Sequence, residues 1–580
     1  MAVLGWIWQR FSRQGAAASA APDHPAELER QAEQQFAQSR WAEAEGSYRR
    51  LLAAHPGSAD AHARLGAALQ ALGRPGEAKQ SALRALAADA AHAEAHYLMA
   101  GLCAGEDDAA AHEHYGRAVA SAPRLEAAYL DWCRLLFREN RLGEATAAIE
   151  RGLAHLPDSV YLRLYLGNLR HTEGRFTEAA EEYEEAARRL PENPSILANL
   201  GLAQMMANRY DTAIATLRRA LDLDPTSVDA NLTLGRACLD LGRYDAARDC
   251  FERALELEEG HVGALYNLGH LGLLLGDFEA GWAGFALRDR QPYMVANPVF
   301  PQPLFSLDAD VAGKTVLLYA EQGFGDTLQF IRYAEWIAER GARVVAAVPG
   351  PLASLIGRGA GVAAVADLAA LPDFDCYSPL LSLPGIFNTD AATIPRNVPY
   401  LSAAPERIAH WRARLGPPAL PRVGLVWSGD PRKHQILANH ADAMRSMRFA
   451  ALGPLLDVPG VEFHSLQVGE AAVAQIADDP RIADHAGELF DFQETAALVE
   501  QLDLVISVDT SMVHLAGALG KPVWMFNRYN TCWRWMLDRT DSPWYPAMRI
   551  FRQQTFGDWQ PVVAEVAHAL AEFAREPRRP

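Results

Sequence analysis

The pattern of apolar and polar positions changes character near residue 314. Before that point, small and apolar residues recur with a 34-residue step. Prolines stand at Pro123, Pro157, Pro191 and Pro225. Leu-Gly pairs stand at Leu166-Gly167, Leu200-Gly201, Leu234-Gly235 and Leu268-Gly269. Two further series run Leu142, Phe176, Tyr210, Tyr244, Phe278 and Ala145, Ala179, Ala213, Ala247. Four registers at one period imply stacked helix pairs, because one pair cannot bury its apolar face alone. After residue 314, short β-branched runs alternate with helical stretches. TVLLYA (315–320), RVVAAV (343–348) and GVAAVA (361–366) read as parallel strands, followed by RVGLVWSG (422–429), VEFHSLQ (461–467), LDLVISVDT (502–510) and KPVWMF (521–526). Such alternation implies parallel sheets flanked by helices.

The repeat registers match the tetratricopeptide (TPR) pattern. Gly and Ala let paired helices approach, Leu-Gly and the aromatic stand on the first helix, and Pro stops the second. About seven units fit residues 25–290, with degenerate early ones around Trp41, Pro56, Leu65-Gly66 and Pro75. The expected organisation is a leader at 1–24, the all-α TPR superhelix at 25–290 and a linker at 291–313. A first Rossmann-like domain at 314–402, a connector at 403–420 and a second Rossmann-like domain at 421–580 follow. Helices are expected near 448–456, 492–501 and 512–519, and a terminal helix near 560–575 returns toward the first domain. The short first domain implies a reduced sheet.

Composition narrows the classes. The chain has 580 residues, 50 % apolar and 22 % charged, with a net charge of −18. That balance opposes a nucleic-acid partner, which requires clustered Lys and Arg. No apolar run reaches the roughly 18–20 residues that span a bilayer. Six scattered cysteines without a CxxC pair fit a reducing, cytoplasmic setting. The N-terminal Trp6, Trp8 and Phe11 near Arg10 and Arg13 read as a disordered leader or a short amphipathic contact. Asp308 and Asp310 resemble a metal-binding DxD, but their place in the linker makes them solvated surface.

Candidate chemistry gathers in loops after strands, where open α/β sheets bind ligands. In EQGFGDTLQF (321–330), Gly323 and Gly325 permit a tight turn, and Asp326 opens a helix. Asp326 is either the helix cap or a general base for an acceptor hydroxyl. In VDTSMVHLAGALGKPV (508–523), Asp509, Thr510 and Ser511 lead into a helix whose free N–H groups suit a diphosphate, with His514 in its first turn. Ser428 and Gly429 with Lys433 or Arg445 line a donor cleft or a solvated loop. Gln467 either hydrogen-bonds a base or phosphate or lies in a surface loop. Trp533, Trp535, Trp544 and Tyr545 among arginines suit sugar binding or domain packing equally. In the repeats, Asn199 and Asn267 share a register that can clamp a peptide backbone, interrupted by Thr233.

The segments GFGDTLQF (323–330), GLVWSGDP (424–431), LDLVISVDTSMVHLAGALGKPVW (502–524) and DSPWYPAMRIFRQ (541–553) resemble bacterial TPR-glycosyltransferases. Their catalytic half is similar to the heptosyltransferases of glycosyltransferase family 9 and related in plan to TPR-bearing O-GlcNAc transferases. The resemblance implies a GT-B module of two Rossmann-like domains that needs no metal or other cofactor and inverts the anomeric centre. It implies Asp326 as general base and a donor site at Asp509, Thr510, Ser511 and His514, with Arg445-Ser446 as the family's Arg-Ser pair. It also implies a nucleotide-sugar donor and a protein acceptor, such as flagellin, held in the TPR groove. A glycan or lipopolysaccharide acceptor is the second enzyme reading, and a non-catalytic adaptor with a degenerate GT-B scaffold is the third. Two departures stand out: Val468 occupies a position where Lys is common, and 430–444 departs from the usual short Asn-rich loop.

Overall fold

A computed structural model describes residues 25–291 and 297–575. The leader at 1–24 therefore lies outside the described residues. The chain forms two compact units that divide between Leu223 and Asp224. The division falls inside the array expected at 25–290.

The described helical region runs as eight helix pairs, from Pro25–Ala37 with Trp41–Ala54 to Val262–Leu275 with Phe278–Phe285. That is one more than the registers suggest, and Pro25–Ala37 carries no Leu-Gly pair. The periodic glycines are steric requirements. A Cβ on Gly167 would stand 2.6 Å from the Tyr183 ring, and one on Gly201 would stand 2.4 Å from Leu217. On Gly235 it would meet Phe251 at 2.5 Å. Pro157, Pro191 and Pro225 lie in the turns just past helix ends. Two residues beyond each, Ser159, Asn193 and Ser227 cap the next helix by accepting from Leu162 N, Ile196 N and Ala230 N at 3.0, 3.1 and 3.2 Å. The aromatic series departs from expectation: Phe176, Tyr210, Tyr244 and Phe278 open the second helix of their pairs rather than standing on the first.

The second unit begins with the last two helix pairs and continues into two parallel sheets. The first sheet contains β1 (Thr315–Tyr319), β2 (Arg343–Ala347), β3 (Val362–Ala366) and β4 (Cys376–Pro379), in the order β3-β2-β1-β4. Val316 is registered between Val344 and Cys376. The second contains β5 (Arg422–Val426), β6 (Glu462–Ser465), β7 (Ile482–Ala483), β8 (Leu504–Val508), β9 (Val523–Asn527) and β10 (Met548–Arg552). Its order is β10-β9-β8-β5-β6-β7. Strands β4, β7 and β10 add to the seven expected from sequence. Helix Pro405–Leu415 occupies the connector, and its Trp411 indole donates to Glu494 Oε2 at 2.9 Å.

The two strand orders locate the candidate chemistry. The chain reverses direction across the first sheet between β1 and β4, and across the second between β5 and β8. Crevices at such reversals are where ligands sit in open parallel sheets. The terminal helix, Gln560–Phe573, does not return to the first sheet. Val562, Val563, Val566 and Leu570 join a core with Val423, Leu425 and Phe449 of the second.

Candidate functional site

The loop after β1 leads into helix Phe324–Phe330, and the loop after β8 leads into helix Ser511–Ala518. These helices pack against each other at their first turns. A Cβ on Gly325 would lie 2.8 Å from His514 Cδ2 and 3.5 Å from Ser511 Cα. Gly325 is thus required by this close approach, and it brings both reversal loops to one place.

Asp326 stands beside that contact with its side chain 19 % exposed. Its Oδ2 accepts from the Gly323 N–H at 3.1 Å, which caps the helix. Its Oδ1 accepts from Arg534 Nη2 at 2.6 Å. Arg534 is gripped from several sides. Nε donates to Gln329 Oε1 at 2.8 Å, and the guanidinium carbon lies 4.5 Å from the Trp533 ring centre and 5.4 Å from that of Phe330. Burial works against the Arg534 charge, but Cys532, Asp326 and Asp509 hold it fully protonated. Sequence reasoning noted the arginines of this segment without singling out Arg534. Its signal was a cation flanked by Trp533 and Trp535.

The turn after β8 is braced from helix Ile436–Arg445. Arg445 Nη1 donates to Asp509 O at 2.8 Å, and its other nitrogens engage Asp442. Thr510 accepts from Met512 N at 3.3 Å and lies 3.2 Å from Ser507 Oγ, so its hydroxyl is occupied as a cap. Asp509 and Ser511 are half-buried at the helix start. His514 is buried. Its Nδ1 lies 3.0 Å from the Tyr545 hydroxyl, and its ring stacks on Trp535 at 5.4 Å. Burial, then Arg534, Arg332 and Arg445, hold its pKa well below the usual value, so the ring is neutral at pH 7.

After β5, the expected donor loop is built mostly on itself. A Cβ on Gly429 would lie 2.0 Å from Asp442 Oδ1, and Gly429 N donates to Ser446 Oγ at 2.9 Å. The Arg445-Ser446 pair therefore shapes both this loop and the 509 turn. Ser428 is half-buried and Lys433 exposed. Gln467 departs from both readings taken from sequence. It is buried, its Oε1 accepts from the N–H groups of Trp427 and Ser428, and its Nε2 donates to Ser428 O and Val468 O. With each amide atom making two bonds to backbone, it positions Ser428 rather than meeting a ligand directly.

Trp533, Trp535, Trp544 and Tyr545 are each at most 2 % exposed. They are packing residues, not a sugar platform. Trp533 meets Trp282 of the last helix pair at 5.3 Å and Phe330 at 6.5 Å. Arg332, also buried, donates to Trp544 O, Pro395 O and Tyr400 Oη, binding the two sheets together.

In the first unit, a cavity of about 820 Å³ is lined by Phe36, Trp41, Tyr97, Tyr115, Asp131 and Arg134. Asn199 lies half-buried on helix Pro194–Met206 of that unit. Asn267 lies half-buried on helix Val262–Leu275 of the second, where Thr233 Oγ1 returns to Asp229 O at 2.8 Å on its own helix. Asp308 and Asp310 are exposed. Among the described residues, no three His, Cys, Asp or Glu side chains gather to hold a metal ion, and no helix is long and apolar enough to cross a membrane.

Comparisons with known proteins match the helical array and the second sheet separately. Tetratricopeptide repeat models match residues 35–102, 130–194, 172–228 and 205–268. The model for glycosyltransferase family 9 (heptosyltransferase) matches residues 461–527, from β6 through β9 and including the 509–514 turn. Protein FlbA of Caulobacter vibrioides is 28 % identical over 323 residues, covering 51 % of this chain and 52 % of that protein. The chain thus spans about half the length of this relative. Among solved structures, YrrB, a TPR protein with an unusual peptide-binding site, is 23 % identical over 30 % of this chain and 91 % of its own, with a TM-score of 0.27. PilF of Pseudomonas aeruginosa is 20 % identical over 36 % of this chain and 94 % of its own, with a TM-score of 0.31. The chain thus carries tetratricopeptide repeats in its helical array and, in its six-stranded domain, a segment that matches glycosyltransferase family 9.

Proposed function

We propose that the chain is a glycosyltransferase that moves a sugar from a nucleotide-activated donor to an acceptor hydroxyl. Its two sheets act as a GT-B pair, and the acceptor is a cytoplasmic protein, such as flagellin, recruited by the helical array. One observation carries the reading. Gly325 lies against His514 and Ser511, so the helix that carries Asp326 meets the turn at 509–514, and the reading takes the crevice beside that contact as the site.

In that crevice Asp326 takes the proton of the acceptor hydroxyl as the new glycosidic bond forms. Arg534 fixes the direction of its Oδ1. The bond to the donor diphosphate breaks, and the departing charge meets the first-turn N–H groups of helix Ser511–Ala518 and the Ser511 hydroxyl. Arg445 holds Asp509 in register for that turn, and Gln467 does the same for Ser428. The neutral His514 contributes a hydrogen bond rather than a charge. The reaction needs no metal in this scheme, and displacement from the face opposite the diphosphate inverts the anomeric centre.

Mass spectrometry of host proteins with and without the gene tests the assignment. A protein that loses a constant sugar mass on deletion identifies both acceptor and sugar. Complementation with Asp326→Asn should restore about 10²–10⁴-fold less modification per unit time, the usual weight of one general base. An Asn variant that restores full modification removes Asp326 from the chemistry. A mass change confined to a polysaccharide removes the protein acceptor.

A further inference from the structure

Glu321 is a buried charge that the proposed chemistry leaves unused. It follows β1 and precedes the Gly323 N–H that orients Asp326. Its partner is Arg288, on the turn Arg288–Arg290 at the end of the last helix pair. Both side chains are 4 % exposed. Arg288 Nε and Nη2 reach Oε1 at 3.2 and 2.9 Å, and Nη2 also reaches Oε2 at 2.9 Å. The same Nη2 donates to Ser382 Oγ at 2.8 Å, and the guanidinium carbon lies 5.2 Å from the Phe285 ring centre. Glu321 further accepts from Leu381 N and Asn297 Nδ2, both at 3.2 Å.

This arrangement has a direction. Leu381 and Ser382 form the turn after β4, and Glu321 belongs to the loop after β1. These are the two arms of the strand-order reversal in the first sheet. A residue of the helical array thus holds both arms through one carboxylate. A rigid guanidinium fork fixes position more tightly than a single flexible contact does. Trp282 adds a second tie nearby: its indole donates to Thr389 O at 2.6 Å, and the Thr389 hydroxyl meets Tyr333 Oη at 2.7 Å.

We propose that Arg288 is a positioning residue for the carboxylate at 326, which makes the last helix pair part of the catalytic module rather than a carrier alone. The inference rests on the catalytic reading above. Arg288 acts through Glu321 on the backbone of 321–326, and that backbone sets where Asp326 points.

The test uses the full chain. Arg288→Met alone leaves the Glu321 charge buried without its partner and can fail to fold. The double variant Arg288→Met/Glu321→Gln removes both charges at nearly constant volume. Arg288→Lys keeps the charge but loses the fork. Two readouts are taken: backbone amide exchange in 320–331 and 504–518, and the rate of acceptor modification in the host by mass spectrometry. The double variant should melt near the wild type, exchange faster in 320–331 only, and modify its acceptor about 10²-fold more slowly, the cost of a small misplacement of a reacting group. Arg288→Lys should recover part of both losses. Unchanged exchange in 320–331 overturns the proposal. So does equal loosening of both segments, which marks a general stability effect, and so does local loosening with full modification. If Asp326→Asn keeps full activity, the catalytic reading falls separately, and the exchange data still judge the clamp.

Discussion

At Gly325 a single hydrogen stands where any other residue would place a carbon 2.8 Å from the His514 ring. His514 cannot retreat freely, because Trp535 stacks on it and Tyr545 holds its Nδ1. Gly325→Val should therefore separate the two first turns and lower turnover by about 10²-fold, since catalysis tolerates little displacement of reacting groups. Nucleoside diphosphate binding, read by calorimetry, should fall less, because Arg445 and Asp442 brace the 509 turn independently. A Val variant with normal turnover would show that the contact is incidental to the chemistry. At this scale the sequence was legible where a close approach leaves no room for a side chain: Gly325 meets His514 in the first turn of helix Phe324–Phe330, beside Asp326, whereas Gly323 caps that helix with ordinary backbone and room for a Cβ. It was misleading where one residue type serves two ends. Gln467 had the composition of a ligand contact, yet all its side-chain bonds go to backbone. Arg534 was hard to single out because its partner lies 208 positions away.

At the scale of elements, the helix Ser511–Ala518 and strand β6 each bury a neutral histidine. His464 stacks on His485, with its Nδ1 3.0 Å from His485 Nε2. Burial, then His485 and Arg422, lower its pKa from 6.5 to about 4. His514 is lowered well below 6.5 for the causes already given. The sign follows from linkage. Below pH 6.5 the unfolded chain binds protons at these positions and the fold does not, so acid favours unfolding. Stability of the second unit should be full above pH 6.5 and fall steadily toward pH 4. Thermal melts at stepped pH check this, and substituting His464→Gln should flatten part of the slope. A midpoint insensitive to pH across that window would contradict the neutral assignment. Element recognition from sequence followed pattern strength. The seven strands with β-branched runs were readable. The three others were not: β7 spans two residues, β4 reads Cys-Tyr-Ser-Pro, and β10 lies in a stretch whose aromatics and arginines suited sugar binding and domain packing equally. The helical repeats were readable to single registers, because glycines at fixed steps answer to close approach between helices. The aromatic register was assigned to the wrong helix of each pair, since periodicity fixes spacing but not which helix owns a position.

For the whole molecule, the boundary that matters is not the one periodicity suggests. The repeats run to about residue 290, but compact packing divides at Leu223. The last helix pair belongs with the sheets because Trp282 and Phe285 meet Trp533 and Arg288 meets Glu321, and the pair before it is tied by Asn530 Nδ2 donating to Asp240 Oδ1 at 3.2 Å. A fragment starting at residue 291 would expose the Trp533 face and leave Glu321 buried without its cation. Breaking a buried ion pair from one side costs about 3–5 kcal/mol. Losing the aromatic cover adds to this, against a typical domain stability of about 5–15 kcal/mol. We expect 224–580 to unfold cooperatively in urea with intact near-ultraviolet dichroism, and 291–580 to lack both. Matching urea midpoints for the two fragments would show that the last helix pairs are an appendage. The result also decides how acceptor recruitment can be tested. If 291–580 does not fold, deleting 1–290 should abolish the proposed catalysis together with any recruitment, and loss of modification would then say nothing about the acceptor. Deleting 1–223 leaves the Arg288 clamp in place. With that fragment, continued sugar transfer to a small acceptor alongside lost transfer to the host protein assigns recruitment to the first unit.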